Sequence, residues 1–403
     1  MKDNIMQKFG FEFRTENMSE RIKNASLSAI KGMIAIASQL DDVVWFSWGI
    51  PPFSTAKFIR QDVGNMLADK NNYKIDQYSP VAGIPKLKQA FARKIRNQKG
   101  IELEAQKEIL VTCGTMEAIK ITLEALIDEG DEVILFSPSF PSHHEQVILT
   151  SGKPIYVPLK EDNMWHIDFN LLEQAITKKT KVIIVTSPNN PTGNVVPKND
   201  LERIAKLAEK HDLFVISDET YDFLTYNEIK HTSALTLPQF KKRFIVCFSC
   251  SKEYSMSGWR VGFICAESGI IQQLQKAHDA AVVCVPTISQ LAAISAIEGP
   301  QDYIKDQVVI YQKKLDLICE RLDRLADTFE YIRPEGAYYI FPKIKDPKID
   351  DVDFCLEILK NTRVAFVPGS AFGPSGKGHL RIVFGVADEE IHKGFDRLEE
   401  YLL

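Results

Sequence analysis

The chain has no unbroken apolar stretch near the roughly 20 residues that a membrane-crossing helix needs. Its opening, "MKDNIMQKFGFEF", has no apolar core of signal-peptide length. These absences lead us to expect a soluble, cytoplasmic protein with no membrane partner. No block of basic residues stands out, and the formal net charge is −5. Electrostatics therefore give no reason to expect nucleic acid or an anionic membrane as partner, although a small anion would still find a local cationic pocket. Cysteine is scattered and odd in number, seven in 403 residues, which is no disulfide framework. Cys247 and Cys250 form a lone C-x-x-C with no second pair to complete a zinc site. Cys247 also lies in an apolar run, so buried structural thiols are expected. The eight histidines include no H-E-x-x-H, and the adjacent His143 and His144 diverge on either a helix or a strand. No metal site is expected. No G-x-G-x-x-G follows a strand-like run, which counts against a nicotinamide dehydrogenase. No internal repeat, low-complexity tract or separate DNA-binding module is visible.

What is there is ordinary globular composition, 45% apolar and 26% charged, in a chain long enough for a large core and more than one domain. From about residue 108 short apolar runs alternate with longer amphipathic ones. The runs are "EILVT" (108–112), "EVILF" (132–136), "KVIIVT" (181–186), "LFVIS" (213–217), "RFIVCF" (243–248) and "VGFICA" (261–266). They are continuous rather than alternating, so both faces should be buried, as in a mostly parallel sheet with helices on both sides. Between them, "NDLERIAKLAEKHD" has helical spacing, with Asn199 as its N-cap candidate. After about residue 300 the rhythm changes. "DYIKDQVVIYQKKLDLICERLDRLAD" predicts one long helix, and strand-like "AYYIF" and "LRIVFGV" follow. We expect three parts: an N-terminal segment (1–55) packing with the smaller domain, a large domain (56–295) and a smaller α+β domain (296–403).

In open α/β sheets ligands bind outside the carboxyl ends of the strands, so each strand end is worth reading. After "EILVT", Gly114 and Thr115 open a helix, either as a plain helix entry or as a phosphate cradle of backbone N–H groups. After "EVILF", Phe140 lies in a Pro-flanked turn, as core packing or as a platform for a flat ring. After "KVIIVT", Asn190 in "SPNNPTG" belongs to an Asx-type turn or points into the crevice. After "LFVIS", Asp218 is a carboxylate that needs a partner, either a structural arginine or a protonated ligand nitrogen. Tyr221 follows three residues on. After "RFIVCF" come Ser249, Lys252 and Arg260. Lys252 is either a surface charge or a nucleophile activated by desolvation and neighbouring cations. Together these residues supply a phosphate nest, an aromatic face, an amide, a buried carboxylate and a nucleophilic lysine. Those are the parts that bind pyridoxal 5′-phosphate.

The chain resembles the class I/II pyridoxal-phosphate-dependent aminotransferases, the aspartate and aromatic aminotransferase-like group of fold type I. "YSPVAGIPKLKQA", "CGTMEAI", "SPNNPTG", "SDETY", "SCSKEYSMSGWRVGF" and "GHLRIVFGV" occur in that family's order and cover roughly residues 20–400. The resemblance implies a large domain with a mostly parallel seven-stranded sheet plus a smaller α+β domain. It implies transfer of an amino group between an L-amino acid, neutral, aromatic or aspartate-like, and a 2-oxo acid such as 2-oxoglutarate. It also implies a homodimer with shared sites. Lys252 would form the internal aldimine and shuttle a proton at the substrate Cα. Asp218 would pair with the pyridine nitrogen, which keeps the ring an electron sink. Tyr221 and Asn190 would hydrogen-bond the phenolic oxygen, and Phe140 would stack on the ring. Gly114, Thr115, Met116, Ser249 and Arg260 would surround the phosphate, joined by Tyr78 of the neighbouring subunit. Arg381 would clamp the substrate α-carboxylate, with Gly49 and Ile50 near the substrate. Met116, Ile50, Pro52 and His143 depart from residues common in the family and make the site less polar. That leans toward neutral or aromatic substrates. A pyridoxal-phosphate C–S β-lyase on the same scaffold is the alternative activity.

Overall fold

A computed structural model describes residues 17–403; the opening stretch and the first part of the expected N-terminal segment lie outside the described residues. The central sheet has seven strands: β1 (Ile109–Thr112), β2 (Glu132–Ser137), β3 (Lys153–Pro158), β4 (Thr180–Thr186), β5 (Phe214–Asp218), β6 (Phe244–Ser249) and β7 (Gly262–Cys265). Their order is β1-β7-β6-β5-β4-β2-β3. All neighbours are parallel except β7, which runs antiparallel to both β1 and β6.

Continuous apolar runs produce this sheet because its two faces feed two cores. Ile109, Val111, Ile134, Phe136, Ile183 and Val185 enter one cluster. Leu110, Val133, Leu135, Val182, Ile184 and Ile216 enter the other. The period-2 alternation of a strand turns one apolar run into two buried layers. β3 was not anticipated. It is the edge strand, with Pro154 and Pro158 and mostly half-buried side chains, and proline is tolerated where one side of a strand needs no ladder bond. The helix Lys198–His211 begins two residues earlier than expected. Pro197 is its N-cap and Asn199 lies inside its first turn.

Beyond the sheet, the helix Asp302–Arg324 is followed by a small antiparallel sheet in which Leu380–Val383 pairs with Tyr339–Ile340 and Val367–Pro368. The "AYYIF" and "LRIVFGV" runs thus yield strands shorter than the motifs. The N-terminal strand Val44–Trp45 pairs in parallel with Val364–Ala365. Phe46 stacks on Phe366 at 6.0 Å between ring centroids, and the Val383 N–H donates to the Phe46 carbonyl at 2.9 Å. This pairing brings Trp48 and Gly49 to the cavity at the carboxyl ends of β1, β2 and β4–β6. Among the described residues no helix is long and apolar enough to cross a membrane.

Candidate active site

A cavity of about 260 Å³ opens where those strand ends meet the N-terminal segment. It is lined by Thr115 and Met116, Phe140 and His143, Asn190, Asp218 and Tyr221, Ser249, Lys252 and Arg260, together with Gly49 and Arg381. Seven segments far apart in the chain meet here because each follows a strand or lies against one.

One end is built for an anion. The helix Thr115–Leu126 starts at Gly114, whose φ of +82° is a glycine conformation. A Cβ there would lie 2.6 Å from Arg260 Nη2, so only glycine lets the guanidinium approach the helix start. Arg260 is itself held by donating to the Cys113 carbonyl at 2.9 Å and the Ser257 carbonyl at 2.8 Å. The Ser249 hydroxyl oxygen caps the short helix Cys250–Glu253 by accepting from the Ser251 N–H at 3.0 Å, which leaves its own proton free to donate. Helix N–H groups, two hydroxyls and a guanidinium suit a phosphate.

The middle of the cavity holds Asp218, buried at the end of β5. Its partner is not an arginine. Thr220 donates to Oδ1 through its hydroxyl at 2.6 Å and its N–H at 3.2 Å, and His143 Nε2 stands 3.4 Å from Oδ2. His143 Nε2 is buried and makes no hydrogen bond. A buried carboxylate so placed on the cavity wall fits a ring N–H. The role of His143 beside Asp218 was missed. Its signal was the i, i+3 spacing from Phe140, which packs edge-on to it with ring centroids 5.6 Å apart.

Lys252 is half-buried, and its Nζ donates to the Gly49 carbonyl at 2.7 Å. Burial first, then the Arg381 and Arg260 charges, bring its pKa down to about 8, with Asp218 opposing. Such an amine is a nucleophile close to neutral pH. Tyr221 is buried, and its hydroxyl meets that of Tyr339 at 2.5 Å. Burial, then Tyr339, push the Tyr221 pKa well up, so it stays a donor.

At the other end, Arg381 is 1% exposed. It donates through Nη1 to Asn190 Oδ1 at 3.3 Å and through Nη2 to the Ser47 carbonyl, while Nε has no partner. Burial lowers its pKa, partly offset by Tyr339, Tyr221 and Tyr338. Gly49 admits no side chain, because a Cβ would run into the Tyr339 hydroxyl. Two expected positions lie elsewhere. Ile50 is 40% exposed and outside the lining, and Tyr78 points outward, 83% exposed. Tyr339, Ser28, Ile30, Lys31 and Trp48 line the cavity without having been anticipated. They precede or follow the βα rhythm, so no strand-end rule pointed to them.

Behind Lys252 lies a buried ionic layer. Lys94 pairs with Glu253, and Lys99 with Asp222 at 2.7 Å. Glu219, Asp222 and His231 have ligand atoms within 4.8 Å of one another, but the Lys99 ammonium already occupies the cationic place beside Asp222.

The donor set, from helix start through Asp218 to Lys252, fits pyridoxal phosphate. The aminotransferase class I and II family matches residues 41–398. The aspartate aminotransferase of Pyrococcus abyssi is 36% identical over 387 residues, 96% of this chain and 98% of the relative. The aromatic-amino-acid aminotransferase 2 of Thermococcus litoralis is 33% identical with the same coverage. The structure of a single mutant of Thermus thermophilus aspartate aminotransferase superposes with a TM-score of 0.89 at 30% identity, covering 96% of this chain and 100% of that one. The chain therefore belongs to the class I and II aminotransferases, enzymes of fold type I that use pyridoxal phosphate to move an amino group between an amino acid and a 2-oxo acid.

Proposed function

We propose that the chain takes the amino group from a neutral, aromatic or aspartate-like L-amino acid and passes it to 2-oxoglutarate. The observation that carries this reading is Arg381. It is a fully buried cation, with no carboxylate partner among the described residues and an idle Nε, at the opposite end of the cavity from the phosphate cradle. A buried charge without a counter-ion is costly, and a substrate carboxylate relieves that cost.

When bound, pyridoxal phosphate supplies an aldehyde that condenses with amines and a ring that accepts the electron pair left at the substrate Cα. The protein's part follows from its geometry. Gly114, Thr115, Met116, Ser249 and Arg260 would hold the phosphate, and Phe140 would pack on the ring. Asp218, oriented by the Thr220 hydroxyl and N–H, would hold a proton on the ring nitrogen. Asn190 and the protonated Tyr221 would donate to the phenolic oxygen. Arg381 fixes the α-carboxylate and so sets the Cα hydrogen toward Lys252, whose Nζ takes and returns that proton. Gly49, whose carbonyl accepts from Lys252, closes the site on the side of the N-terminal segment.

The reading extends to a homodimer in the cytoplasm, with each exposed Tyr78 reaching the phosphate of the neighbouring site. It also divides the chain into an N-terminal segment (1–55), a large domain (56–295) and a small domain (296–403). Relatives named for aspartate and for aromatic amino acids support the donor range. A half-reaction screen tests it: twenty amino acids are added singly to the holoenzyme and the cofactor absorbance is followed. Conversion by aspartate-like or aromatic donors, reversed by 2-oxoglutarate, is expected. Pyruvate and ammonia from a cysteine conjugate, without amino transfer, would instead identify a β-lyase.

A further inference from the structure

Five lining residues carry formal charge: Lys31, Asp218, Lys252, Arg260 and Arg381. The last four are taken up by the cofactor and the α-carboxylate. Lys31 is not. It stands in the first turn of the helix Ala29–Ala37, and Ser28, Ile30 and Lys31 of that turn all face the cavity. Ser28 is the N-cap residue, yet its hydroxyl caps nothing. The Lys31 and Gly32 N–H groups donate to the Ser28 carbonyl at 2.8 and 3.1 Å, and the Ala29 and Ile30 N–H groups before them belong to the positive end of the helix. Among the described residues Lys31 has no carboxylate partner. Its Nζ lies 5.9 Å from the centroid of the Trp48 ring, a weak and readily surrendered contact at an exposed site. The surrounding wall is apolar: Ile30, Trp48, Met116 and Phe140.

We propose that Lys31, with the Ser28 hydroxyl and the start of this helix, is the specificity-determining site for the distal carboxylate of dicarboxylic 2-oxo acids and amino acids. This rests on the reading of Arg381 as the α-carboxylate site. The apolar wall receives the substrate's methylenes or an aromatic ring, and Lys31 receives an anionic tip where there is one. The less polar residues at Met116 and Ile50 thus do not remove dicarboxylic acids from the substrate range, because the cation comes from another segment. A cation over an apolar wall admits both substrate kinds, and the ion pair weights the choice between them.

The test compares the holoenzyme with Lys31→Met, which keeps the length of the stem, and Lys31→Arg, which keeps the charge. Binding of glutarate and of hexanoate is titrated through the cofactor absorbance. Turnover is measured with 2-oxoglutarate and 2-oxohexanoate and one common donor. Lys31→Met should lower the preference for glutarate over hexanoate by roughly two- to fivefold, and Lys31→Arg should restore most of it. The turnover ratio should follow, chiefly through KM, and the wild-type preference should fall as salt rises. A glutarate preference unchanged in Lys31→Met overturns the proposal. Wild-type enzyme that binds both diacids and monoacids but transfers no amino group would overturn the proposed function, while the binding ratios still decide the role of Lys31.

Discussion

Two lysines have pKa values brought down to about 8, chiefly by burial, and they lie in regions with opposite uses. Lys88 is on the helix Pro85–Lys99, 2% exposed, and donates to the Gln106 carbonyl at 3.0 Å. Lys252 faces a cavity and shares it with Arg260, Arg381 and Asp218. A depressed pKa is therefore no mark of chemistry by itself. What separates the two is an open space in front of the amine and an electrostatic setting that a ligand would complete. Lys99, eleven residues after Lys88 on the same helix, sharpens the contrast. Burial lowers its pKa too, but Asp222 and Glu219 outweigh this and the net shift is upward. The same side chain on one helix is a strained charge at one end and a paired charge at the other.

Substitutions can break this comparison in order of effect. Lys252→Met should lower the amino-transfer rate by about a thousandfold or more, since groups acting as a unit in chemistry lose most of the rate when one is removed. Borohydride treatment should then leave the peptide holding residue 252 unlabelled, whereas in the wild type that peptide carries the cofactor. Label on another lysine in the wild type would break the assignment. Asp222→Asn should leave activity groups in place but unpair Lys99, costing about 3–5 kcal/mol of stability by chemical unfolding. A compensating Lys99→Met in the same chain should recover most of that. Arg381→Lys should weaken kcat/KM by about 2–5 kcal/mol for every substrate, because an ammonium cannot pair two-pronged with the α-carboxylate. An unchanged kcat/KM would contradict the carboxylate role.

The large sheet was legible because burial on both faces writes continuous apolar runs into the sequence. β3 was not, since an edge strand with Pro154 and Pro158 lacks that signature. The cofactor end of the site was legible for a related reason. Strand ends are fixed by the apolar runs, so the polar residue after each run falls at a known place. Gly114, Asn190, Asp218 and Lys252 were all reached this way. The substrate end was less so. Ser28, Lys31 and Trp48 arrive through the pairing of Val44–Trp45 with Val364–Ala365, more than three hundred residues away, and no local pattern encodes that contact. His143 is intermediate. Its helical spacing from Phe140 was readable, but that its ring would meet Asp218 depends on how β2 and β5 flank β4.

Lys88 offers the smallest effect and the cleanest sign. Its folded pKa of about 8 lies below the ordinary lysine value of 10.5. Between those values the unfolded chain holds a proton that the folded chain has released, so stability contributed by this group rises with pH across that window. Below about pH 8 both states are protonated, and the folded protein bears the full burden of a buried ammonium with no counter-ion among the described residues. Lys88→Met removes that burden while losing the bond to the Gln106 carbonyl. The variant should be more stable than the wild type by about 1–3 kcal/mol at pH 7, since apolar replacement of a buried charge is often stabilising. Its advantage should shrink as pH rises from 8 toward 10.5, above which the wild-type amine is neutral in both states. Amino transfer should be untouched, which is the contrast with Lys252. Urea unfolding of both proteins at several pH values measures it, and a difference that stays constant with pH would mean that Lys88 carries no charge burden in the fold.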